Sequence, residues 1–356
     1  MLDKLKIALI APVWLRVPPV SYGGIEIIVS LLADGLVDRG HDVTLFASGD
    51  SLTKGKLVSV YDQPPKDKIG SILPDIFHGA SAFDYCGQEN FDIIHDHTGF
   101  SGVALGAFSA TPVLSTMHGE FNDQTKPFYR RFKDAVYFNA ISDCQKRSLP
   151  ELRYVQTVYN TIDFSSYPLK TEKNGYLLFL SRFSPQKGAH LAIETAKRLK
   201  KRLILAGKVD KGADTEYFKK NIEPYIDDQQ ICFLGEVSEE RKRELMAGAD
   251  CFVFPIQWDE PFGLVMLEAM ACGTPVVAFN RGAAGEVVSP GHTGYLADTF
   301  DEFVDMVGKS DELDAHDCRH WAESQFPIDR MVSGYIDNYM HILRAEGRIA
   351  QSLTLA

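Results

Sequence analysis

Two glutamates, Glu260 and Glu268, stand in the segment DCFVFPIQWDEPFGLVMLEAMACGTPVVAF (250–279), with seven residues between them. The segment reads as a strand, a polar turn, Pro261 and a helix of roughly a dozen residues that ends near Gly273. Proline suits a first helical position, because its missing N–H would be unpaired there anyway. On this reading the amides of Phe262, Gly263 and Leu264 point out of the helix start, with the positive end of the helix dipole behind them. That is an anion site, and Gly263 lets an anion approach the backbone closely. Eight steps at about 100° each leave the two glutamates about 80° apart around a helix, on one broad face but not adjacent. Glu268 lies in LVMLEAMACG, which is otherwise wholly apolar. A carboxylate buried there needs a partner, and ligand hydroxyls could supply one.

Other residues could do chemistry from the ends of strands. Arg182 and Lys187 lie in SRFSPQKG (181–188), Gly23 and Gly24 in YGGIE (22–26), His118 in TMHGEF (116–121) and Asp96 in HDH (95–97). Two cations and a Gly-Gly turn before a helix can hold a phosphorylated ligand. Each is also an ordinary feature when taken alone: a turn, solvated charges, and hydrogen-bonding residues in loops. The chain has no Asp-x-Asp pair of the kind that often holds a divalent ion on a diphosphate.

The elements that must position these residues form two α/β passages. The first runs through KIALIA (6–11), the helix IEIIVSLLADGLVDRG (25–40), DVTLFAS (42–48), FDIIHDH (91–97), TPVLSTMHG (111–119) and VYFNAIS (136–142). The second opens with YLLFLS (176–181) and the helix AHLAIETAKRL (189–199). It continues through the strands RLILAG, QICFLG, DCFVFP and PVVAF. Short apolar strands alternating with helices predict parallel sheets covered on both faces. In such sheets ligands bind beyond the carboxyl ends of the strands. The polar, turn-rich DFSSYPLKTEKNG (163–175) is the best linker candidate. The expected division is therefore 1–165 and 166–327, with an amphipathic C-terminal helix near 328–347 that can pack back on the first domain.

Bulk properties agree with this division. At 356 residues two domains are expected. A formal net charge of −11, with neither half basic, argues against a general nucleic-acid binder. It leaves room for one phosphorylated small molecule held by local cations and amides. None of the six cysteines forms a C-x-x-C pair, and a reduced, cytoplasmic protein is expected. The longest apolar runs are too short for a membrane span. KPFYRRFK (126–133) interleaves basic and aromatic residues and is a candidate peripheral contact with an anionic membrane.

The stretch EPFGLVMLEAMACGTPVVA resembles the signature of the family 4 retaining glycosyltransferases, which have the two-Rossmann GT-B fold. YGGIE, TMHGEF, YNTID (159–163) and SRFSPQKG match that family in the expected order across nearly the whole chain. The resemblance implies two doubly wound, Rossmann-like domains facing across a cleft. It also implies transfer of a hexose from a nucleoside diphosphate sugar to an acceptor hydroxyl, with retention of configuration and by front-face attack. Glu260 would then bind donor-sugar hydroxyls and Glu268 the ribose hydroxyls. Arg182, Lys187, Gly23, Gly24 and the amides of Phe262, Gly263 and Leu264 would hold the diphosphate or the sugar. His118 would lie against the sugar, Asp96 would touch the acceptor or tune His118, and Trp258 and Asp259 would line the sugar pocket. The cations would stand in for a metal, so no metal and no cofactor is expected. The donor is a substrate, with a lean to UDP-glucose; the acceptor is not specified. Thr161 departs from the pattern, standing where the family usually has Gly.

Competing classes fit less well. A nicotinamide-dependent dehydrogenase would show G-x-G-x-x-G directly after KIALIA, and APVWLRVPPVSYGG does not fit. Nothing in the motifs favours a GT-B-fold sugar epimerase. A non-catalytic nucleotide-sugar sensor would tend to lose His118 or Glu260, and both are present.

Overall fold

The structure, a computed structural model, describes residues 4–20 and 22–349. Short apolar runs become strands, most of them buried on both faces and the edge strands only partly. β1 (Lys6–Ile10), β2 (Asp42–Phe46), β3 (Lys56–Val58), β4 (Ile93–Asp96), β5 (Val113–Met117), β6 (Tyr137–Ala140) and β7 (Tyr154–Thr157) form one sheet. Its order is β3-β2-β1-β4-β5-β6-β7, and every pairing is parallel. β8 (Tyr176–Leu180), β9 (Arg202–Ala206), β10 (Ile231–Phe233), β11 (Cys251–Phe254), β12 (Val276–Phe279) and β13 (Gly294–Ala297) form a second parallel sheet. Its order, β10-β9-β8-β11-β12-β13, repeats the same winding. Both are doubly wound Rossmann-type sheets. Each has a switch point where the chain reverses its direction of growth, between β1 and β4 in the first and between β8 and β11 in the second. Ligands settle beyond the strand ends at such points.

Two compact units result. One comprises residues up to Thr161 together with those from Ile328 onward, and the other spans Ile162–Pro327. The chain changes units at Thr161–Ile162 rather than after residue 165, and 163–175 is not a free linker. Arg319 binds the carbonyls of Phe164 and Tyr167 at 2.8 Å, which fastens that stretch to the second unit. The C-terminal helix Ile328–Ala345 belongs to the first unit. Its Val332 fills the space opposite Gly35, and Arg39 pairs with Asp329 at 2.9 Å. Tyr335 and Tyr339 on that helix are completely buried. Thr161 is buried and keeps a negative φ, so its position does not require glycine.

All six cysteines are free, and burial raises the thiols of Cys86, Cys251, Cys272 and Cys318 to about 12. They are small core residues rather than nucleophiles. Within 126–133, Tyr129 is buried and Phe128 and Phe132 pack on the core of the first unit. The aromatic half of the expected membrane contact is therefore turned inward, and the segment shows solvent mainly Arg130, Arg131 and Lys133. No helix among the described residues is long and apolar enough to cross a membrane.

Candidate active site

In the second unit the loops after β8 and β11 are zipped together. Gln257 N–H donates to the Gln186 carbonyl at 2.7 Å. Gly188, in the left-handed region at φ 76°, lies so close to the Pro255 carbonyl that a Cβ would overlap it. This contact brings Lys187 to Glu260: Lys187 Nζ lies 2.6 Å from Glu260 Oε2. Trp258 Nε1 donates to the same oxygen at 3.1 Å, and the Lys187 ammonium sits 4.6 Å from the centre of the Trp258 ring. The carboxylate is mostly shielded, so two donors and a ring quadrupole fix a charge that would otherwise be costly to hold there. Gly282 completes the arrangement. Its Cα faces the Glu260 backbone with no room for a Cβ, and Ala283 N–H donates to the Glu260 carbonyl at 2.8 Å. Asp259, in contrast, is exposed, and only its backbone, beside Gly282, takes part.

The helix after β11 starts later than Pro261 suggests. It spans Leu264–Ala271, and its N-cap is Gly263 at φ 82°. A left-handed residue is required there, which only glycine adopts cheaply, so the chain turns once more before helix begins. Phe262 is not part of the helix start; its ring is buried against Phe326 at 5.7 Å. The amides of Leu264 and Val265 have no backbone acceptor among the described residues, as expected of first-turn N–H groups.

Glu268, on the same helix, is buried. Its partners are protein groups and not ligand hydroxyls alone. Lys242 Nζ lies 2.8 Å from Oε1, and the Tyr167 hydroxyl donates to the same oxygen at 2.9 Å. Lys242 also pairs with Glu239 at 2.8 Å. Burial pulls the Lys242 ammonium towards losing its proton, but Glu268 and Glu239 outweigh that and raise its pKa. Oε2 of Glu268 accepts no hydrogen bond from the described residues, which leaves one edge of the carboxylate open to a ligand. Arg182 is half-exposed and leans on Asp214 at 3.5 Å and Asp210 at 3.9 Å.

The first unit supplies the other candidates. Gly23 is the N-cap of the helix Gly24–Asp38. A Cβ there would overlap Pro19 and crowd the Glu26 carboxylate. Glu26 is buried in the first helical turn, and desolvation raises its pKa from 4.5 to about 7. His118, just past β5, has its Nε2 2.8 Å from Nδ1 of His97, just past β4. Burial lowers His118 to about 4 and His97 and His95 well below the usual imidazole value, so all three are neutral at pH 7.

Asp96 is the last residue of β4. It is completely buried, and its carboxylate accepts from Thr98 N–H at 3.0 Å, Thr98 Oγ1 at 2.7 Å and Ser115 Oγ at 2.9 Å. Desolvation raises its pKa to about 6 against those hydrogen bonds. It shapes the loop after β4, and the residue that touches His118 is its neighbour His97. Among the described residues no three His, Cys, Asp or Glu side chains gather as a metal-holding group.

Two doubly wound Rossmann-type sheets in one chain are the architecture of the GT-B class, which solved glycosyltransferases share. Residues 162–313 match the family described as "Glycosyl transferases group 1", and residues 22–165 match "Glycosyltransferase Family 4". The chain belongs to the group 1 glycosyltransferases and is a glycosyltransferase enzyme. N-acetyl-alpha-D-glucosaminyl L-malate synthase of Bacillus anthracis is 26% identical, over 91% of this chain and 95% of its own. The crystal structure of AviGT4, a glycosyltransferase of avilamycin A biosynthesis, superposes with TM-score 0.72 at 25% identity, covering 96% of this chain and 98% of that one. Anabaena HepE, solved in complex with UDP and glucose, shares the fold with TM-score 0.73 at 21% identity, over 94% and 99% of the two chains.

Proposed function

We propose that this enzyme moves a hexose from a nucleoside diphosphate sugar, UDP-glucose for preference, to an acceptor hydroxyl with retention of anomeric configuration. The observation that carries the reading is the Lys187–Glu260–Trp258 cluster beside the start of the helix Leu264–Ala271. An ammonium 2.6 Å from a shielded carboxylate can bridge that carboxylate and a leaving phosphate. Glu260 then accepts from hydroxyls of the donor sugar, and Glu268, braced by Lys242 and Tyr167, uses its open Oε2 on the ribose. Arg182 leaves its aspartates for the diphosphate, which the amides of Leu264 and Val265 also approach, and in the first unit the Gly23–Gly24 turn offers amides of the same kind to a phosphate. HepE's complexes with UDP and with UDP-glucose support the donor class and the lean to UDP-glucose.

In the reaction the acceptor oxygen attacks the anomeric carbon on the face from which the diphosphate leaves. The bond from that carbon to the diphosphate oxygen breaks, and the departing phosphate takes the acceptor's proton. No enzymic nucleophile is needed. The protein holds the partners in register and stabilises charge on the leaving group. Lys187 and Arg182 supply the positive charge that a divalent ion would otherwise bring, so transfer is metal-independent.

A thermal-shift panel of UDP- and GDP-sugars, with and without EDTA, tests the reading. A donor present at a hundred times its Kd stabilises by about 2.7 kcal/mol. A shift with UDP-glucose that survives EDTA is expected. No shift with any nucleotide sugar would overturn the donor reading, and a shift abolished by EDTA would overturn metal independence. Glu260→Ala should abolish transfer while UDP still binds, whereas Glu268→Ala should weaken UDP itself. The reverse pattern would exchange the two roles.

A further inference from the structure

The buried imidazoles of the first unit form a chain that a sugar contact at His118 does not by itself require. His95 is held by both ring nitrogens, Nδ1 against the Tyr339 hydroxyl at 2.7 Å and Nε2 against Thr116 Oγ1 at 2.8 Å. Its ring lies 4.2 Å from that of His97. The backbone of His97 is pinned to the end of β1 by a 2.9 Å hydrogen bond from its N–H to the Ile10 carbonyl. His97 is 3% exposed, and its ring stacks on His118 at 5.2 Å with Nδ1 against His118 Nε2. Nε2 of His97 is buried and has no hydrogen-bond partner among the described residues.

Two neutral imidazoles share one proton across a single hydrogen bond. If His118 were the donor, His97 would carry its own proton on Nε2, a buried N–H with nothing to accept it. If His97 is the donor, its Nε2 is a bare lone pair. Buried N–H groups without acceptors are rarer in folded proteins than under-used acceptors. The second arrangement is therefore the favoured one, and it leaves His118 with its proton on Nδ1.

We propose that His97 is a positioning residue: by donating from Nδ1 to His118 Nε2 it fixes His118 as the Nδ1–H tautomer, so that His118 offers the donor sugar an N–H donor. This rests on the reading of His118 as a sugar contact. The chemistry it selects is a sugar hydroxyl whose oxygen lone pair is directed at the His118 N–H, a contact that holds the ring in place as the diphosphate departs. The Tyr339–His95 pair serves to hold the His97 ring, and so the C-terminal helix helps to set the proton on His118.

The test uses the full chain labelled with 15N-histidine. Long-range 1H–15N correlations report the tautomer, with the His118 signals assigned by their loss in His118→Asn. His118 protonated on Nδ1 is expected in the wild type. His97→Phe keeps a ring against His95 but removes the donor. His118 should then shift to Nε2–H, and kcat/KM should fall about tenfold, the worth of one hydrogen bond. His97→Asn places an amide N–H near the same spot and should restore both the Nδ1–H tautomer and most of the activity. Wild-type His118 protonated on Nε2 would overturn the proposal, as would equal loss of activity in His97→Phe and His97→Asn with His118 still Nδ1–H in both. A separate control isolates the underlying reading. If His118→Ala transfers sugar as fast as the wild type, the sugar-contact role is refuted, while the tautomer measurement stands on its own.

Discussion

Glu26 offers a direct test of how the Gly-Gly turn is built. Its carboxyl is 5% exposed, and burial, opposed only by its own backbone amide, raises its pKa from 4.5 to about 7. The unfolded chain loses this proton near pH 4.5, whereas the folded chain keeps it until about pH 7. Between those values the folded state binds more protons than the unfolded state, so stability falls as pH rises through that window and levels off above it. At about 1.4 kcal/mol per unit, the loss amounts to about 3 kcal/mol by pH 8. Glu26→Gln removes the titration while keeping the shape. Urea unfolding, followed by circular dichroism, should show variant and wild type nearly alike at pH 4.5 and the variant clearly more stable at pH 8. If the Gly23–Gly24 turn holds a phosphate as proposed, the same proton bears on function, because a Cβ on Gly23 would come within 2.9 Å of Glu26 Oε2. A charged Glu26 would repel a diphosphate at that turn. Donor KM should therefore rise with pH through 7 in the wild type and stay flat in Glu26→Gln. A stability difference that is independent of pH, or larger at low pH, would refute the reasoning.

Four further outcomes follow from other contacts. Lys242→Met leaves Glu268 buried with only Tyr167, and should cost about 3 kcal/mol and weaken UDP binding, read by chemical denaturation and calorimetry. Gly188→Ala forces a Cβ into the Pro255 carbonyl at a left-handed position. It should displace Lys187 and lower both Tm and kcat, measured by melting and by steady-state transfer. Asp96→Ala strands the Thr98 and Ser115 donors, and should cost roughly 1–3 kcal/mol of stability while leaving acceptor KM in the surviving folded enzyme unchanged. Lys187→Met should lower kcat far more than it raises the Kd for UDP, because the charge it supplies matters most as the diphosphate departs.

The order of elements was legible because each unit repeats one simple device, an apolar strand followed by an amphipathic helix. The helix Ala189–Leu199 falls where its pattern places it, and the face Met331, Tyr335, Tyr339 and Leu343 of the C-terminal helix is buried as its spacing requires. Three strands were missed, and all lie at or next to a sheet edge. β3, β7 and β13 are three or four residues long and only partly buried, so their sequences carry too few apolar residues to stand out from loops. The start of the helix after β11 was misplaced because Pro261 and Gly263 both signal a boundary. Proline merely permits a helix to begin, whereas a glycine at φ 82° interrupts one, and the backbone obeyed the glycine.

Within the site, the residues that bear the chemistry could be read, but the residues that hold them could not. Glu268 shows why. An apolar helix around a lone carboxylate says that the charge must be neutralised, yet nothing local says by what. The answer comes from Lys242, 26 positions away on another helix, and from Tyr167, 101 positions away within the supposed linker. His97 was hidden for a different reason. In the HDH triplet the carboxylate is the one group charged at neutral pH, and so it stands out over the imidazoles beside it. Alternation along β4, carried one residue past its end, instead sends Asp96 to one face and the flanking histidines to the other, on the side of His118 and the C-terminal helix. A strand period of two was already in the sequence. Applied to residues 95–97, it places Asp96 and His97 on opposite faces, so only one of them can adjoin His118; the burial of Asp96 among Thr98 and Ser115 shows that the one is His97.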